Sequence, residues 1–146
     1  MTVRKLELEA EEDINNKLLK FNETYNDLMI RTLHNCRSAK IDSDNYMPII
    51  NNGEYREISS SVPIRLNYYL TFLQLSLDET GISFPRMLLI DTPRTAGIDV
   101  DNLNKVLSNI SELINNHTNE KYQIIFSTGV NQYPAEFKGY VFETLT

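Results

Sequence analysis

Asp91 closes a run of four apolar residues, Met87-Leu88-Leu89-Ile90, and is followed by Thr92-Pro93-Arg94. A carboxylate at the end of a buried strand is placed to hold a magnesium ion, directly or through water, beside the phosphates of a nucleotide. The same placement also serves phospho-acceptor aspartates and plain helix caps. A second cluster, Ser59-Ser60-Ser61, stands before the apolar run that begins at Val62. Backbone N–H groups and hydroxyls at a helix mouth attract anions, helped by the helix dipole. The plainer role for such serines is to cap the helix. A third polar segment, Ser127-Thr128-Gly129, follows a second candidate buried strand, Gln123-Ile124-Ile125-Phe126.

The elements that must position these groups follow from periodicity. Met87–Ile90 and Gln123–Phe126 are short enough for buried strands. Between them Leu103, Val106, Leu107, Ile110 and Ile114 recur at helical spacing after Gly97-Ile98-Asp99, and Asn115-Asn116 can turn the chain. Strand, helix, strand of these lengths predicts a βαβ unit with two parallel strands and a right-handed crossover. In open α/β sheets ligands sit at the carboxyl ends of the strands, where Asp91 and Ser127-Thr128 fall. The segment after the serines carries Pro63 in its first turn and Leu66, Tyr69, Leu70, Leu73 and Leu77 on several sides, which predicts a helix buried all round with a serine N-cap. Residues 46–57 predict a hairpin, Met47–Ile50 and Tyr55–Glu57, turning at Asn51-Asn52-Gly53. A last strand is expected over Gly139–Glu143.

The first ~37 residues predict one long helix: Ile14, Leu18, Phe21, Tyr25, Leu28 and Thr32 keep a 4-3-4-3 spacing, and neither Gly nor Pro occurs before Pro48. Its narrow apolar stripe between charged flanks suits a coiled coil, the alternative being an ordinary core helix. The whole chain of 146 residues is the size of one domain. No apolar run approaches the ~20 residues of a membrane span, and the first residues lack the apolar stretch of a signal peptide, so a cytoplasmic protein is expected. One cysteine excludes an internal disulfide framework, and two histidines leave no zinc cluster. A net charge of −6 argues against a wide basic surface for nucleic acid.

The order of these pieces is informative: a coiled-coil helix, a hairpin, a serine-bearing helix mouth, a strand ending in Asp91-Thr92-Pro93, then Gly97-Ile98-Asp99, a helix and a strand. Residues 46–143 resemble the C-terminal lobe of an ABC-type ATPase head of the SMC, RecN and SbcC-like branch. Ser59-Ser60-Ser61, with Arg65 six places after Ser59, is similar to a degenerate signature motif. Met87–Pro93 is similar to Walker B, Gly97-Ile98-Asp99 to the D-loop, and Ile124–Gly129 to the strand leading to the switch region. The resemblance implies a partial P-loop NTPase fold, an α/β lobe over residues 39–146 with a parallel sheet flanked by helices, preceded by a coiled-coil helix over residues 1–38. It implies ATP and Mg²⁺ as cofactors, Asp91 as the metal-binding and catalytic aspartate, and Ser59, Ser60, Ser61, Arg94, Asp99 and Thr128 as nucleotide-binding residues. It also implies a Walker A-bearing N-terminal lobe, in a parent chain or a separate polypeptide, a head-to-head homodimer, and DNA as a possible ligand, with no membrane.

The sequence departs from that pattern. The glutamate that polarises the attacking water is replaced by Thr92, which cannot act as a base near neutral pH. Gly129 stands in place of the switch histidine, with Asn131 or Gln132 as substitutes for orienting a water. No Gly-x-x-x-x-Gly-Lys-Ser/Thr loop occurs, so the chain by itself is not expected to bind ATP well. Two other Asp-ending patterns fit less well. The haloacid-dehalogenase one needs an aspartate where Pro93 stands, and the receiver one needs an acidic pair on an earlier strand. The rival reading is a non-enzymatic interaction module in which Asp91 and the serines only cap helices. His117 reads as a solvated loop residue, His34 and Cys36 as surface or partial core, Tyr68 and Tyr69 as packing residues, and Arg94 as a nucleotide or head contact or else a structural ion pair.

Overall fold

A computed structural model describes residues 3–55, 60–91, 99–129 and 132–144. The chain runs α1 (Val3–Thr32), β1 (Ala39–Ile41), β2 (Pro48–Ile50), a 3-10 turn (Asn51–Gly53), α2 (Ser61–Asp78), β3 (Met87–Asp91), α3 (Val100–Asn116), β4 (Gln123–Ser127) and a second 3-10 segment (Ala135–Tyr140). It is an α/β fold with a helical N-terminus and a small parallel sheet. Among the described residues no helix is long and apolar enough to cross a membrane.

The 30 residues of α1 need no glycine or proline and are laced by acid-to-base pairs one turn apart. Lys17 reaches Asp13 at 2.7 Å and Arg31 reaches Asp27 at 2.8 Å, each worth about 0.2–0.5 kcal/mol in an exposed helix. The helix has two unlike halves. Every residue from Val3 to Asn16 is exposed, whereas Phe21, Tyr25, Leu28, Met29 and Thr32 are buried. Those seam positions find their partner within the chain: Phe21 and Phe72 of α2 lie 4.7 Å apart between ring centroids, and the Tyr25 hydroxyl donates to the Ile64 carbonyl. Lys20 pairs with Glu79 beyond the end of α2, and Arg31 with Glu112 of α3. The same core therefore runs across residue 38.

The hairpin forms with a different partner from the one expected. β2 pairs antiparallel with β1, Ala39 opposite Ile50 and Ile41 opposite Pro48, and Tyr55 belongs to no strand. Asn51 explains the difference. Its buried side-chain oxygen accepts from the backbone N–H groups of Arg37 (2.7 Å) and Ser38 (3.1 Å), and its amide donates to the Asn35 carbonyl. That ties β2 to the preceding segment. Asn51, Asn52 and Gly53 all adopt positive φ, so the chain coils into a turn where a two-residue hairpin would have continued. The part of the expected second strand over residues 56–57 lies outside the described residues.

The βαβ unit forms as expected. β3 and β4 are parallel in the register Met87–Gln123 to Asp91–Ser127. α3 lays Leu103, Val106, Leu107, Ile110 and Leu113 on a core shared with Leu88 and Ile90 of β3 and Leu70 and Leu73 of α2. α2 is not buried all round: Arg65 and Tyr69 face solvent, on a side that the packing of α1, α3 and β3 leaves open among the described residues. The strand expected over Gly139–Glu143 is absent. Phe137 docks against the core and the Val141 N–H bonds the Lys138 carbonyl, which commits this backbone to a turn, and Phe142 is left 85% exposed.

Three buried polar side chains join the helices. The Asn67 amide of α2 donates to the Thr32 hydroxyl of α1 at 2.8 Å, and the Asn109 amide of α3 donates to Thr32 (3.0 Å) and to the Asn67 side-chain oxygen (3.1 Å). Thr32 in turn donates to the Leu28 carbonyl. Each buried polar group is thereby satisfied, which removes the desolvation penalty that would otherwise oppose burying it.

Candidate functional site

β3 alternates exposed and buried residues from Met87 to Asp91, so Leu88 and Ile90 enter the core while Met87, Leu89 and Asp91 face outward. Asp91 ends the strand at its carboxyl edge. The register sets Ser127, the last residue of β4, directly opposite, and the Ser127 hydroxyl donates to Asp91 Oδ1. Both residues are exposed. A carboxylate and a hydroxyl side by side at parallel strand ends offer hard oxygen donors. They match what the protein contributes to magnesium, which takes one or two carboxylates and leaves its other positions to water and phosphate. Among the described residues no group of three His, Cys, Asp or Glu side chains is gathered for a metal.

The segment after β4 folds back on itself. The Gln132 N–H donates to the Gly129 carbonyl at 3.0 Å, and the Thr128 hydroxyl donates to the Gln132 carbonyl at 3.5 Å. The Gln132 amide lies over Gly129, where an added Cβ would come within 2.6 Å of it. A side chain at Gly129 would displace that amide, a small adjustment because it is the far end of a flexible side chain.

Asp99, expected as a nucleotide-binding residue of the D-loop, is the N-cap of α3. Its backbone is extended and Oδ1 accepts from the Asn102 N–H at 2.8 Å, while Oδ2 accepts from the Asn102 amide at 2.6 Å. Both carboxylate oxygens thus serve the first turn of α3. Ser60 differs from expectation. It precedes α2 but has helical φ and ψ, and its hydroxyl does not cap the helix, because a capping side chain needs extended backbone at that position. Ser60 is 0% exposed, and Ser61, the first residue of α2, is the serine of the two that faces solvent. Ser59, Thr92, Arg94 and Asn131 lie outside the described residues.

An open cleft of about 520 Å³ lies beside these groups, between Val100, Leu103, Asn104 and Ser108 of α3 and Gln132, Tyr133, Pro134 and Glu136. Neither Asp91 nor Ser127 lines it. The structure thus brings together Asp91 and Ser127, sets Thr128 beside them in the chain, and puts Ser60 and Ser61 on a separate helix. Ser127 is the partner that sequence reasoning did not assign. Its signal was there, since the two expected strands, Met87–Ile90 and Gln123–Phe126, are equal in length and are followed by Asp91 and Ser127.

Two other residues differ from their plain readings. His117 is no solvated loop residue: its side chain is 10% exposed, with Nε2 2.7 Å from Asp78 Oδ1 and Nδ1 2.9 Å from the Leu113 carbonyl. Burial pulls its pKa down, but the bonds to Asp78 and Leu113 together raise it above the ordinary 6.5. Cys36 is core, its thiol pKa pushed up by burial and its sulfur resting on the Ser38 carbonyl, while His34 is exposed.

No family model matches this chain, and no curated protein or solved structure matches it either.

Proposed function

We propose that this chain is the C-terminal lobe of an SMC-like ABC ATPase head, supplying Asp91 and a signature-like helix mouth to an ATP site that a Walker A-bearing lobe completes. The observation that carries the reading is the Asp91–Ser127 pair at the matched carboxyl ends of two parallel strands. The state of the sheet supports it. Parallel sheets are covered on both faces, yet here Leu89 is 66% and Met87 52% exposed, and among the described residues β3 and β4 pair only with each other. A further lobe that adds strands and a covering layer would account for both features.

In this reading Asp91, with Ser127 bonded to it, holds Mg²⁺, which when bound neutralises charge on the nucleotide phosphates. The Ser127 hydroxyl fixes the carboxylate's orientation by donating to one of its oxygens. The exposed Ser61, together with Ser59, serves the γ-phosphate of a nucleotide bound by an opposing head, so that ATP joins two heads. Thr92, at the position of the usual base, makes hydrolysis slow and favours ATP used as a clamp, in DNA repair, chromosome maintenance or phage defence.

The test is steady-state ATP turnover by the chain in complex with its Walker A-bearing lobe. Slow turnover is expected, abolished by Asp91→Asn and raised by about 10²-fold or more by Thr92→Glu, the range that a positioned general base contributes. Brisk hydrolysis that survives Asp91→Asn would sink the assignment. A second reading, an interaction module without enzymatic chemistry, is favoured by the capping role of Asp99 and by the exposed half of α1. It expects no turnover from any of the three proteins.

A further inference from the structure

Asn52 is followed by Gly53, and no other asparagine of the chain stands before a glycine. An asparagine side chain is open to attack by the backbone nitrogen of the next residue, and a following glycine, lacking Cβ, leaves that approach unhindered. Asn51 and Asn52 stand side by side in the 3-10 turn with opposite surroundings. Asn51 is buried, and its side chain is held by bonds to the backbone of Asn35, Arg37 and Ser38. Asn52 is exposed, and its side chain makes no hydrogen bond among the described residues. Nothing lies within 4 Å of the position a Cβ would take on Gly53, so a ring closing between the two residues meets no neighbour. Asn52 holds φ at 56°, a backbone that asparagine and aspartate both accept, so an aspartate made there fits the turn that the asparagine built.

We propose that Asn52-Gly53 is a self-modifying site, at which water converts Asn52 to aspartate and isoaspartate in the folded chain. The Gly53 nitrogen gives its proton to solvent base and forms a bond to Asn52 Cγ, and the side-chain nitrogen takes up a proton and leaves as ammonia. Water then opens the cyclic imide, so that a water is consumed for each ammonia released. Opening at Cγ leaves aspartate with the main chain unchanged. Opening at the backbone carbonyl carbon routes the main chain through Cβ and Cγ and lengthens it. The longer link falls inside the turn, where the Glu54 N–H bonds the Asn51 carbonyl at 3.1 Å across both residues. Isoaspartate breaks that bond and frees the Glu54 end, which Arg37 holds by an exposed ion pair. The Asn51 bonds to residues 35–38 lie on the other side of the link and stay. The proposal holds under either reading of the domain, since Asp91 plays no part in it.

The test keeps the full chain in warm, mildly alkaline buffer and sequences the tryptic peptide Ile41–Arg56 by electron-transfer fragmentation, which separates aspartate from isoaspartate. Both products are expected at Asn52, neither at Asn45 or Asn51, and Asn52→Gln is expected to lose them entirely. Hydrogen–deuterium exchange of the Glu54 amide is expected to rise in the isoaspartyl form and to stay at the wild-type level in Asn52→Asp. An Asn52 that stays unconverted, conversion at Asn51 that keeps pace with it, or conversion that occurs only after unfolding in urea would overturn the proposal. Glu54 exchange that is equal in all forms would overturn the effect assigned to the turn.

Discussion

His117 falls in Asn115-Asn116-His117-Thr118, a run that reads as loop, yet its ring bridges the ends of α2 and α3. Both ring nitrogens face acceptors, a carboxylate and a carbonyl, so the imidazolium satisfies both bonds and the neutral ring only one. A histidine whose pKa is raised on folding adds stability that is fully present below its unfolded value of 6.5 and is lost as pH rises through the folded value. Urea unfolding of the wild type and His117→Gln should therefore differ by about 0.3–1 kcal/mol at acidic pH, the scale of a cation at a helix C-terminus. The gap should close above neutrality, and a gap that widens with pH would contradict this account. Residues of this kind are hard to read in advance, because Asp78 is 39 positions away in the chain. The same holds for the Thr32, Asn67 and Asn109 network, whose members sit at apolar-periodic positions where a polar residue gives no hint of its partners.

Elements with a strong period were legible and those fixed by single side chains were not. α3 shows its apolar face in the sequence, and β3 and β4 show theirs as short apolar runs, so the βαβ unit and the strand-end position of Asp91 could be read directly. The hairpin was mispaired because Asn51 spends its side chain on residues 35–38, a tertiary demand that a turn signature does not carry. β3 read as uniformly buried, but it alternates, and the alternation yields a prediction. Leu88→Ala should cost about 2–4 kcal/mol, as in other core truncations, whereas Leu89→Ala should stay within about 0.5 kcal/mol in the chain alone. Denaturant midpoints of the two variants check this, and equal losses would mean that the outward face is covered after all.

At the scale of the whole molecule, the described residues make an α/β body with two features that look outward: a parallel sheet with an exposed face, ending in Asp91 and Ser127, and half of a long helix. The net charge of −6 belongs to this body and says little about what a larger assembly would hold. The central claim is that the strand-end pair is half of a nucleotide site. Calorimetric titration of MgATP into the chain alone, and into the chain joined with its Walker A-bearing lobe, tests it most directly. The account predicts no binding by the chain alone, and binding by the pair that Asp91→Asn weakens by about tenfold or more, the loss of a charged metal ligand. MgATP binding that is unchanged by Asp91→Asn would contradict it.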